Sequence, residues 1–177
     1  MNAIRLAFAA ACVAAVVNLA GCATPATSQA MTVKPGATAA VNPKLKGNVA
    51  IAQVSGGKDT NPLWTSQVDN AGFRKALHDS LNIAGYLAAD PAQAKYKVSA
   101  DLQSLQQPLI GFTFDVKSQV EYKVAGPSGV TPYKVNATGT ASPSDAFVGF
   151  ERLRIANERS VMENIKNFID QLAKFVD

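Results

Sequence analysis

The chain reads as an α+β protein with its elements in the order β-α-β-β-β-α, two helices packed on one face of a four-stranded, largely antiparallel sheet. Three stretches between Lys95 and Ala141 alternate apolar and polar residues at a spacing of two, the pattern of an antiparallel meander with one wet face. Two flanking stretches repeat apolar residues at spacings of three and four, the pattern of amphipathic helices. An apolar run precedes the first of them. This order favours helices segregated to one side of the sheet.

The elements follow in order. Asn48–Val54 (NVAIAQV) is apolar on both faces and predicts a buried, central strand, beside the meander or in its middle. A turn-rich stretch, Ser55 to Pro62, leads to a helix over Ser66–Ala84, whose stripe is Phe73, Ala76, Leu77, Ser80, Leu81 and Ala84. Gly85 is placed to end it. Lys95–Leu102 and Phe112–Val124 turn Tyr96, Val98, Ala100, Leu102, Phe112, Phe114, Val116, Val120, Tyr122 and Val124 toward the helices. Tyr133–Ala141 does the same with Tyr133, Val135, Ala137 and Ala141. Ser142 or Ser144 is the expected cap of a last helix over about Asp145–Val176, with Phe150, Leu153, Asn157, Val161, Ile165, Phe168, Ile169 and Leu172 as its buried stripe.

Ahead of these elements lies a different kind of sequence. A basic start, Met1 to Arg5, and an apolar run, Leu6 to Val17, have the layout of a secretory signal. The run is shorter than the ~20 residues that span a bilayer. It ends in Leu19-Ala20-Gly21-Cys22. These four residues resemble the lipobox of bacterial lipoproteins, a branched apolar residue, two small ones and cysteine. The resemblance implies cleavage before Cys22, a thioether-linked diacylglycerol on its sulfur, and an acylated amino terminus. Ala23 takes the place of the aspartate that retains such proteins at the inner membrane in enteric-type sorting, so the expected address is the outer membrane, facing the periplasm. The expected division is then residues 1–21 signal peptide, 22–47 lipidated cysteine and flexible tether, and 48–177 a single α+β domain. The tether expectation rests on Ala, Thr, Ser and Pro (Pro25, Pro35, Pro43) without periodic pattern. Some 25 such residues would reach about 25 to 30 Å.

Composition excludes several function classes. The 177 residues carry 17 basic and 13 acidic side chains. Arg5 leaves with the signal, so the mature balance is too mild to imply nucleic acid. Of the two cysteines, Cys12 lies in the signal and Cys22 is blocked by lipid, which removes thiol catalysis, disulfides and thiolate metal sites. Gly56-Gly57-Lys58 is no phosphate loop, because the second glycine is missing and Asp59 stands where a Ser or Thr is needed. His78, the one histidine, adjoins Asp79 and Ser80, and such neighbours do not face each other on a helix. Trp64 reads as a packing residue under its loop. No enzymatic activity, metal or cofactor is expected.

What remains is binding. If the apolar alternation faces the helices, Lys95, Lys97, Lys117, Lys123 and Lys134 emerge on the opposite side of the sheet, against Asp101, Asp115 and Glu121. Such a face suits an anionic envelope component such as lipopolysaccharide phosphates; lysines there also keep a sheet soluble and unpaired. The other expectation is a protein partner in envelope assembly or maintenance, met through the last helix or a strand edge. In its order of elements the chain looks like the lipopolysaccharide-assembly lipoprotein and similar small envelope lipoproteins, a resemblance of architecture and address that assigns no residue beyond Cys22.

Overall fold

Alternation at a spacing of two becomes one sheet, in the strand order β1-β2-β3-β4. The computed structural model describes residues 23–61 and 65–176; the lipobox and Trp64 lie outside them. Strand β1 (Val49–Ser55) pairs parallel with β2 (Tyr96–Gln106) and forms one edge instead of the expected buried centre, because the meander pairs in sequence order and leaves β1 only the outer side of β2; past Ala50 its residues are half-buried or exposed. Strands β2, β3 (Phe114–Gly126) and β4 (Gly129–Ala141) are antiparallel in sequence order, as a meander requires. Helices α1 (Ser28–Met31), α2 (Asn70–Ile83) and α3 (Gly149–Leu172) complete the fold, with a single 3-10 turn at Pro91–Gln93. The α+β class and the helix-covered, largely antiparallel sheet are as the sequence predicts.

Local chemistry fixes most boundaries. The Asp69 carboxylate accepts the Gly72 N–H at 2.7 Å, so α2 starts at Asn70 rather than at Ser66. At its other end Tyr86 donates to Leu81 and Gly85 to Asn82, a Schellman closure that places Gly85 at φ +80°. Gly126 pairs with Gly129 across a two-residue turn, so β4 begins before Pro132. Pro132 is tolerated because β4 is an edge. Neither Ser142 nor Ser144 caps α3. Their hydroxyls bond each other, the Ser142 N–H and hydroxyl donate to Asp145, and Val148 is the cap residue, without a side-chain bond. Phe112 falls outside β3 and Phe150 at the start of α3, and both side chains are exposed rather than buried.

Helix α3 lies close against β3 and β4. An added Cβ at Gly139 would stand 2.1 Å from the Ser160 nitrogen and 2.4 Å from the Ala156 oxygen. Hydrogen bonds fill the narrow gap. Ser160 donates to the Ser118 hydroxyl at 2.9 Å, the Ser118 hydroxyl donates to the Ser160 carbonyl at 3.1 Å, and Tyr122 donates to Asn164 at 3.0 Å. The Asn164 amide in turn donates to the Val135 carbonyl at 2.9 Å. Each of these buried polar groups is thus satisfied, the condition under which such a layer is tolerated. The Tyr122 ring stacks on Phe168 with centroids 3.9 Å apart, and burial pushes its phenol pKa well up.

Residues 23–47, expected as a flexible tether, are instead a folded strap over the two long helices. Met31 and Leu45 are fully buried, with Ala23, Ala26 and Val33 nearly so, and Met31, Val33 and Leu45 join the main apolar core. Polar ties run the strap's length. The Thr27 N–H and hydroxyl donate to Glu158 at 2.8 and 2.9 Å, the Val33 N–H to the Ser80 hydroxyl at 3.0 Å, and the Ala39 N–H to Asp170 at 2.7 Å. The Asn42 amide donates to the Phe175 carbonyl at 2.9 Å. The fold therefore has three layers, strap on helices on sheet, and its folded part begins well before position 48.

Two substitutions check these contacts. Met31→Ala, which a tether would not feel, is expected to cost about 2–5 kcal/mol in denaturant unfolding, the usual loss for a buried Met. Gly139→Ala is expected to lower stability by at least the ~1–3 kcal/mol of an overpacked site, because backbone atoms stand where its Cβ would go. An unchanged midpoint in either would contradict the packing described.

Candidate functional site: the open face of the sheet

The strands' parity decides what each face offers. Residues facing α2 and α3 are buried in β2, β3 and the second half of β4, and their neighbours in sequence are exposed or half-buried. Among the described residues no element covers this second face. Lys97, Lys117, Lys123 and Lys134 all emerge there, exposed, and Lys95 stands exposed just before β2. In register, Lys134 lies opposite Glu121, Lys117 between Gln106 and Thr138, and Lys97 opposite Ala125.

The acids of this face are already engaged. The Ser55 hydroxyl donates to Asp101 at 2.7 Å, the Thr140 hydroxyl to Asp115 at 2.6 Å, and the Gln103 amide to Glu121 at 3.2 Å. Lys123 stands 3.8 Å from Glu121. Among the described residues, no carboxylate lies within 4 Å of the other four lysine ammoniums. The face is therefore mixed in formal charge, with four lysine ammoniums that no described carboxylate pairs.

The remaining polar features of the sequence resolve as architecture. His78 is exposed, with Nδ1 at 3.2 Å from Asp79, whose carboxyl pKa is lowered chiefly by its bond to Lys75. Ser80 is buried. It donates to the Ala76 carbonyl at 2.6 Å and accepts from Val33, which makes it a pin for the strap and not a nucleophile served by His78. Gly56 and Gly57 allow the loop backbone to press against Leu102 and the start of α2, where the Gly57 N–H donates to the Asn70 side chain at 2.8 Å. The loop itself occupies the helix terminus that a phosphate would need. Among the described residues no group of three or more His, Cys, Asp or Glu is arranged to hold a metal ion.

The last helix offers less surface than its sequence suggests. Its sheet side is buried, and the strap covers a second side, where Glu158 receives Thr27 and Arg154. Arg154 also grips Glu151, and these two partners raise its pKa further. The edge of β1 is partly closed as well, since Arg74 donates to the Ala52 carbonyl at 2.9 Å.

No protein-family model matches the chain, and no curated protein matches it in sequence. Solved structures do match. One is the hypothetical protein CT253 from Chlamydia trachomatis, 12% identical, with a TM-score of 0.46 over 73% of this chain and 94% of that one.

Proposed function

We propose that this chain is a lipid-anchored outer-membrane lipoprotein, facing the periplasm, that acts by binding as a factor in the assembly or maintenance of the cell envelope, and that it has no catalytic activity. The observation that carries the reading is the lipobox Leu19-Ala20-Gly21-Cys22, followed at once by a folded domain. An acylated cysteine with two or more chains holds a protein firmly at a bilayer, at ~0.8 kcal/mol per buried CH₂. With α3 covered on two sides, the uncovered sheet face is the surface this reading assigns to a partner.

A second reading is favoured by the four lysines that lack a carboxylate: the same face binds an anionic envelope component, such as lipopolysaccharide phosphates, directly. The two differ in their response to salt. Contacts between exposed charges fade beyond a Debye length of ~8 Å at physiological ionic strength, so phosphate binding falls steeply as salt rises. A protein contact that excludes water does so far less.

Crosslinking capture from intact cells with the lipidated protein tests both. We expect wild type to fractionate with the outer membrane and to capture a defined protein there, and Cys22→Ala to lose both. A Cys22→Ala variant that still fractionates with the outer membrane sinks the anchor. The triple variant Lys97→Glu, Lys117→Glu, Lys134→Glu should melt within a few degrees of wild type, since surface changes usually stay within about 0.5 kcal/mol. Salt-sensitive recovery of lipopolysaccharide that disappears in this variant supports the second reading, and undiminished recovery removes it.

A further inference from the structure

Two loops carry large apolar side chains that none of the described residues covers. In the connection from β2 to β3, Leu109, Ile110 and Phe112 are 90%, 91% and 84% exposed. In the connection from β4 to α3 and the first turn of that helix, Phe147 is 91% exposed, and Val148 and Phe150 are exposed as well. Isolated exposed apolar residues are ordinary, whereas a cluster of six calls for an explanation.

The loops belong to one end of the molecule and are joined there. Arg152 directs Nη1 at the carbonyls of Ala146 and Phe147, 3.5 and 3.4 Å away, while its guanidinium carbon stands 5.4 Å from the centre of the Phe114 ring. One side chain thus connects the second loop to the strand that continues the first. At the same end the Gln107 amide donates to Asn157 and to the Ser66 carbonyl, both at 2.9 Å, and so fixes the root of the first loop against α3.

The start of the strap comes to this end too. The strap's ties to α3 advance with it, Thr27 to Glu158, Ala39 to Asp170 and Asn42 to Phe175. Traced backward, it leads toward the amino-terminal end of α3, where both loops lie. The Ala26 N–H bonds the Gln67 carbonyl at 3.0 Å, and Gln67 contacts Gln107. Ala23, three residues before Ala26, is buried as well, and in the sequence Cys22 directly precedes it. The folded strap thus begins at the end that carries the six apolar side chains, next in sequence to the residue proposed to bear the lipid.

We infer that this end is a membrane-contact surface, in which Leu109, Ile110, Phe112, Phe147, Val148 and Phe150 enter the interfacial region of the same bilayer that holds the acyl chains on Cys22. The inference rests on the proposed lipidation and goes beyond it. A tethered domain would tumble above the membrane, whereas this one sits on it in a single orientation. The strap is packed from Ala23 onward, so the anchor adjoins folded chain in the sequence, and the apolar loops supply a reason for one orientation. Position and covalent continuity with the anchor select a bilayer over a protein as the occupant.

The test uses the full lipidated chain, whose mature form offers no free thiol, with one introduced cysteine at a time: Ile110→Cys, Phe147→Cys, or Val130→Cys at the opposite end. All three positions are exposed, so the fold is not at stake. Each variant carries an environment-sensitive dye and is reconstituted in vesicles of phosphatidylethanolamine and phosphatidylglycerol. Expected are a blue-shifted emission and several-fold stronger quenching by nitroxide-labelled lipid at 110 and 147 than at 130, with iodide in solution showing the reverse order. Dyes at 110 and 147 that iodide quenches as strongly as the dye at 130 overturn the inference. So do dyes shielded from both quenchers, which would place a protein partner or a second copy there. Mass spectrometry of the same samples separates the two levels of failure. An unmodified Cys22 overturns the anchor and this surface together, whereas a lipidated Cys22 with water-exposed loops overturns this surface alone.

Discussion

Helix α3 can lie where it does only because position 139 has no side chain. With the Ser160 nitrogen 2.1 Å from where a Cβ would be, helix and strand touch backbone to backbone along this line. Ordinary apolar side chains cannot fill so thin a gap. Serines and an asparagine can, because their groups bond across it instead of stacking in it, and Ser118, Ser160 and Asn164 do so with Tyr122 closing the row. Directional bonds set a register that dispersion forces leave loose. The helix is thereby fixed along its axis as well as against the sheet, and the strap is laid on a surface already in register.

The strap depends on that register in turn. Glu158 is a buried carboxylate, and a buried charge is tolerable only when paired and hydrogen-bonded. Arg154 supplies the charge from one turn away, and Thr27 supplies two donors from the strap. If α3 slid by one turn, ~5.4 Å along its axis, Glu158 would move out of reach of Thr27 and Asp170 out of reach of Ala39. The strap is thus not a tail resting on a finished domain. It completes the burial of α2 through Met31 and Val33 and closes the carboxylate on α3.

How much of this was legible follows from which residues carry each element. The meander announced itself because one face is wet: Lys97, Lys117, Lys123 and Lys134 had to alternate with buried neighbours, and the alternation placed the lysines correctly. Helix α2 was legible through its stripe and Gly85, but not its first turn, since Ser66 and Asp69 are equally good caps and the stripe begins only at Phe73. Phe112 kept the parity of β3 past the point where the strand stops, and Phe150 kept the stripe of α3 into a first turn where its side chain is exposed. Periodicity reports spacing and cannot see that the last pair of the β3–β4 ladder is Phe114 with Ala141. The strap was illegible for another reason. Met31, Val33 and Leu45 are too sparse to make a period, and the strap's hydrogen-bond partners, Ser80, Glu158 and Asp170, lie far along the chain.

The direction of the strands gives the open face a vertical scale. With the apolar loops at the bilayer, β3 rises from Phe114 toward Gly126 at ~3.4 Å per residue. Lys117 then stands at most ~10 Å above Phe114, Lys134, level with Glu121, at ~24 Å, Lys123 at ~31 Å, and Lys97, level with Ala125, at ~37 Å. Headgroup charge is screened within ~8 Å at physiological salt. With the proposed end on a bilayer, Lys117 is the nearest of these four to the headgroups, about one Debye length away. In that orientation Lys134, Lys123 and Lys97 stand farther out in the aqueous space, open to a soluble molecule or an opposing surface.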